Sequence, residues 1–93
     1  MADNVIFIGT KPFMNYVTSV IMQFTIKEAS EVIIKSRGKF ITRAVDVAEV
    51  VTKRFLKEEV VIKSIITDSE EFKNKEDKLV RVSSIAITLV KKD

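Results

Sequence analysis

Between Ile33 and Arg43 the chain reads IIKSRGKFITR, an apolar pair followed by Lys35, Arg37, Lys39 and Arg43 set around Gly38. No acid lies nearer than Glu31 on one side and Asp46 on the other. Cations this close repel one another unless an anion regularly sits among them, so these residue types point to the binding of phosphate-like groups. Backbone amides left free at a helix start would add to the attraction, and a glycine lets a phosphate approach them closely. The competing reading is a solvated turn whose cations serve solubility alone. Gly9-Thr10-Lys11-Pro12 tips the balance, because it too joins a glycine and a lysine to a residue suited to the first turn of a helix.

Other chemistries lack their residues. The chain has neither histidine nor cysteine, which removes classical zinc sites, thiolate nucleophiles and Ser-His or Cys-His catalysis. Its carboxylates fall mainly on a helix's polar face or in one charged stretch, so no catalytic residue, metal or cofactor is expected. The start of the chain does not read as a leader, and no apolar run approaches the roughly 18 residues of a membrane span. A cytoplasmic protein without membrane partners is expected.

The elements that must position the cations follow from punctuation and periodicity. Val5 to Ile8 and Val32 to Ile34 are unbroken apolar runs that read as strands buried on both faces, each leading to a glycine. After Pro12, Phe13, Tyr16, Val17, Val20, Ile21 and Phe24 fall at helical spacing, and Ile41, Ala44, Val45, Ala48, Val51 and Phe55 repeat that spacing. Val60 to Thr67 and Val80 to Val90 are rich in β-branched residues and read as a hairpin joined by a long charged loop, Asp68 to Lys78. The expectation is a single α+β domain, two-layered, of order β-α-β-α-β-β. Its four-stranded sheet is mixed, and right-handed crossovers put both helices on one face. Parallel neighbours would then bring the two basic turns to one end of the sheet, the usual place for ligands of such folds.

Charge is segregated along the chain. Residues 68 to 78 hold five acids and three lysines, a net of −2, which leaves +5 on the remainder of a chain whose total is +3. The second helix also has an unusual surface, because Phe40, Val47 and Val50 widen its apolar arc to about 220°, where a helix lying on a sheet needs little more than about 100°. Either the helix sinks deep into its own core, or the extra stripe around Val47 and Val50 is covered by a second copy about a two-fold axis. A chain of 93 residues has little more protein with which to cover it, which favours a homodimer.

Gly9-Thr10-Lys11-Pro12-Phe13-Met14-Asn15-Tyr16-Val17 resembles the G-K-K-P-V-M-N-Y-V signature of the archaeal Alba family of chromatin and RNA-binding proteins. Ser36-Arg37-Gly38-Lys39-Phe40-Ile41-Thr42-Arg43-Ala44-Val45-Asp46 is similar to that family's A-R-G-R-A-I-S-[KR]-A-V-D, and Arg54-Phe55-Leu56 and Arg81 to Ile85 match further segments. The resemblance implies a fold like the C-terminal domain of translation initiation factor 3, a homodimer, and binding of double-stranded DNA and RNA with little sequence preference. It implies association with the chromosome or nucleoid. It makes Lys11, Arg37, Lys39 and Arg43 phosphate contacts, with Gly38, Asn15 and Tyr16 near the nucleic acid. It assigns Phe55 to packing between dimers along DNA, and its neighbours Arg54 and Leu56 are expected at the dimer or dimer-dimer interface. Thr10 stands where the family has the first of two adjacent lysines, its acetylation site, and the charged hairpin is net acidic where the family's arm reaches along the groove.

Three function classes therefore compete. A dimeric nucleic-acid-binding architectural protein accounts for the basic turns and the wide apolar arc together, with an RNA-binding ribonucleoprotein subunit as its close variant. A protein-interaction module explains the arc alone. An enzyme explains neither.

Overall fold

The computed structural model describes residues 4–92. In chain order the elements are β1 (Val5–Phe7), α1 (Phe13–Thr25), β2 (Glu31–Arg37), α2 (Ile41–Val50), β3 (Val60–Lys73) and β4 (Leu79–Lys91). A 3-10 turn over Gly38–Phe40 leads into α2, and a π turn over Val51–Phe55 continues it. The sheet order is β1-β2-β4-β3, with β1 parallel to β2 and the other pairs antiparallel. β3 therefore runs parallel to β2 with β4 between them. Both crossovers are of the parallel type, and the two helices cover one face as expected.

Val17 and Val20 of α1 and Ala44, Val47, Ala48 and Val51 of the second helix meet Val32, Ile34, Ile87 and Leu89 of the sheet in one core. Fully burying each of the larger aliphatic side chains contributes about 1.5–3 kcal/mol. The opposite face of the sheet is open, which corrects the expectation of strands buried on both sides. β2 alternates, with Val32, Ile34 and Ser36 buried while Lys35 and Arg37 are exposed, and Phe7 in β1 is 71% exposed.

Two further corrections concern the second helix and the hairpin. Ile41, Ala44, Val45, Ala48 and Ala44, Val47, Ala48, Val51 are both stripes at helical spacing, and the fold buries the second. Val47 is thus fully buried in its own protomer rather than presented to a partner, while Val45 is 39% exposed. Val50, with Phe40, packs half-buried against the core. The π turn, closed by the Leu56 N–H donating to the Val51 carbonyl at 2.8 Å, adds a residue to the last turn. Leu56 consequently takes the inward place that a regular helix gives Phe55, and Phe55 points out at 52% exposure. Leu56 is thereby removed from any surface between dimers.

Asp68 to Lys78 is mostly strand, not loop. β3 and β4 stay paired from Asp68↔Ser84 to Lys73↔Leu79, beyond the end of β2, so the hairpin projects as a ribbon. Its tip is a three-residue turn in which Asn74 and Lys78 pair, Asp77 adopts φ 60°, and the Asn74 side chain accepts from the Glu76 and Lys78 amides.

Candidate nucleic-acid interface

Because β1 and β2 are adjacent and parallel, their exits lie side by side, with the Ile8 amide donating to the Lys35 carbonyl at 2.8 Å. The turns that follow are tied together by two side chains. Tyr16, buried on α1, accepts from the amides of Gly9 at 3.0 Å and Lys11 at 2.9 Å, which fixes the first turn against the helix it precedes. Arg43, from the first turn of α2, donates to the Gly9 carbonyl and lies 5.7 Å over the Tyr16 ring. One residue from each basic segment thus sets the position of the other.

This geometry sorts the expected site residues. Lys11 and Asn15 are exposed and line a shallow groove of about 460 Å³ with Thr18 and Ser19. Tyr16 and Arg43 are structural members of the site, since one is buried and the other has its guanidinium turned inward. Lys39 is exposed with its ammonium 5.4 Å over the Phe40 ring. Lys35 and Arg37 project from the open face of the sheet, so the four cations wrap around its end rather than surround one point. Gly38 has φ +55°, a conformation costly for any residue with a Cβ, and it is what turns the chain from β2 into the helix. Neither helix start carries a side-chain cap or an acid in its first turn, so the partial positive charge of the free amides is left for an external anion.

One participant escaped the sequence reading. Glu70, from the ribbon, reaches Arg37 at 3.4 Å, with both side chains more than half exposed. The ribbon leaves the sheet at the same end as the basic turns, which makes this contact possible. Three of its other four acids are also matched, Glu71 with Arg81 at 2.6 Å, Asp77 with Lys73 at 3.6 Å and Glu76 with Lys78 at 3.9 Å, while Asp68 accepts from the Ser69 amide at 2.8 Å. The available signal was cross-strand: Glu71 and Arg81 are directly opposite in the register.

Tyr16→Phe isolates the positioning role. Without the hydroxyl the Gly9 and Lys11 amides lose their acceptor while ring packing remains, so folding stability should fall by about 1–2 kcal/mol. Hydrogen exchange at those two amides should accelerate more than at the buried amides of β2. Unchanged exchange at both positions would show that the hydroxyl does not hold the turn.

The family model described as Alba matches residues 4–69. The DNA/RNA-binding protein Alba of Methanococcus maripaludis is 49% identical over 89 residues, covering 96% of this chain and 99% of that protein. The DNA/RNA-binding protein Alba 1 of Archaeoglobus fulgidus is 50% identical over 92 residues, covering 99% and 100%. Among solved structures, Alba from Thermoplasma volcanium superposes with a TM-score of 0.84 at 44% identity, covering 94% of this chain and 99% of that one. ALBA1 from Trypanosoma brucei shares the fold with a TM-score of 0.76 at 22% identity, covering all of this chain and 73% of its own.

Proposed function

Since the chain belongs to the Alba family, we propose that it is a dimeric DNA- and RNA-binding architectural protein of the chromosome, holding the phosphate backbone with little regard to sequence. The family is one of nucleic-acid-binding proteins without enzymatic activity, and the relatives are named for DNA and RNA alike. The observation that carries the reading is the locking of the two basic turns side by side, through Arg43 on Gly9 and Tyr16 on both Gly9 and Lys11. Rigid, uncapped helix starts beside Lys11, Arg37 and Lys39 can grip phosphates, contacts that by themselves carry no sequence information. Location at the chromosome follows from that activity. No helix among the described residues is long and apolar enough to cross a membrane.

Lys11, Arg37 and Lys39 on each protomer, with Lys35 at the margin, give about six to eight phosphates per dimer. At about −0.9 per phosphate, log K for duplex DNA against log salt should then slope near −5 to −7. Fluorescence titration of random-sequence duplex over a salt series measures it. A flat response, or strong preference for one sequence over random competitor, is the outcome that sinks this reading.

A further inference from the structure

The open face of the sheet carries a side chain that phosphate binding does not use. Phe7 is 71% exposed on β1 and lies directly opposite Lys35 on β2. The same cross-strand row continues through Ala86 to Ile66, which is 61% exposed on β3. Phe7, Lys35 and Arg37 line one side of a groove of about 770 Å³ whose other side is formed by Ile66, Asp68 and Glu70 of β3. Phe7 also lines the groove that holds Lys11 and Asn15, so its ring bridges the basic edge and the open face.

From this placement we infer that Phe7 is a stacking site for an unpaired base of a single-stranded nucleic acid whose backbone follows the basic edge. The inference rests on the proposed phosphate grip and adds a second class of substrate to it. Adjacent strands are about 4.8 Å apart, so the Lys35 side chain starts one strand away from the ring and can hold the phosphate of the nucleotide stacked there. An exposed aromatic on a sheet face, flanked by cations, accepts any base because every base has a π face. Charge sets the direction of the strand's path. Lys11 and Lys35 stand with β1 and β2, whereas Asp68 and Glu70 line the groove from β3, so a polyanion is favoured along the Phe7 side of the groove. A duplex keeps its bases stacked within the helix and has none to offer this ring.

The sequence contains no tryptophan, so Phe7→Trp places a single indole at the site. Its fluorescence should be quenched by an oligothymidylate of about 12 nucleotides, but not by an abasic strand of equal length and charge. Phe7→Ala should weaken oligothymidylate binding by about tenfold or more, with duplex affinity changed less than about twofold. Little core packing is lost with so exposed a ring, and circular dichroism of both variants checks the fold. Equal binding of oligothymidylate by the wild type and Phe7→Ala, with no quenching, would overturn the inference while duplex binding upholds the phosphate grip. Failure of the wild type to bind duplex as well would remove the grip itself, and the inference with it. A change in sedimentation of Phe7→Ala without nucleic acid would assign the face to a protein contact instead, also overturning it.

Discussion

Replacing Arg37 and Lys39 together with alanine should make the salt dependence of duplex binding shallower by about three to four units. A two-fold dimer presents each residue twice, so the double variant removes about four phosphate contacts, each releasing about 0.9 of a counterion. Both side chains are exposed, so the loss should fall on binding rather than folding. Glu70→Gln provides the opposite sign. Glu70 sits 3.4 Å from Arg37 as an intramolecular competitor for the place a phosphate would take. An exposed pair of this kind is worth at most about 1 kcal/mol, so releasing Arg37 should raise affinity by up to about fivefold per site, most visibly at low salt. If the double alanine keeps the wild-type slope and Glu70→Gln leaves affinity unchanged, the phosphates are held elsewhere and the ribbon becomes the alternative principal contact.

The pairing of Glu70 with Arg37 alters how the acidic hairpin should be understood. Net charge along residues 68 to 78 suggests a segment repelled by nucleic acid. Folded, four of its five carboxylates are matched by Arg37, Arg81, Lys73 and Lys78, so its field at a distance is weaker than the sum of its charges. Exposed pairs add little stability, but they can exchange partners readily, and a phosphate entering beside Arg37 displaces Glu70 at small cost.

Features marked by local chemistry were legible in the sequence. Gly9 and Pro12 bracket the first turn, and Gly38, at φ +55°, marks the second, where the backbone is one that few other residues tolerate. The arrangement of four strands and two helices followed from strand and helix periodicity. The stripe of the second helix was not legible, because an apolar arc this wide contains two overlapping i, i+3, i+4, i+7 patterns, and only the packed sheet selects Val47 over Val45. Nor does an ideal wheel anticipate the π turn that exchanges Phe55 for Leu56. The ribbon beyond Asp68 was hidden for a different reason: both its faces meet water, so no apolar alternation marks it as strand. The inward turn of Arg43 depends on Gly9, distant in sequence, and no spacing rule reports such a contact.

Val45→Asp should convert the proposed dimer to a folded monomer, whereas Val50→Asp should damage the protomer itself. The large apolar side chain that α2 leaves exposed is Val45, at 39%, whereas Ile41 and Val50 both pack partly buried against the core. Val50 lies one heptad from Arg43, on the side from which Arg43 reaches Gly9 and the Tyr16 ring of α1. Beside Val45, the partly buried Ile41 lines a groove with Thr67, Ser69 and Ser83 of the hairpin, and Ile65 stands exposed on β3's helix-covered side. A second copy laid across Val45 and Ile65 would cover this apolar surface, and two-fold symmetry would place every substitution in the interface twice. Burying two unpaired carboxylates there should weaken association by about 3 kcal/mol or more, a factor of about a hundred. Sedimentation over a concentration series measures the shift, with circular dichroism to show that the fold survives. A monomer holds half the phosphates of a dimer, so its salt slope should fall to about −2.5 to −3.5, which links assembly to binding. Retention of the wild-type dimer constant by folded Val45→Asp would move the interface off this flank, and a folded, monomeric Val50→Asp would place it on the other.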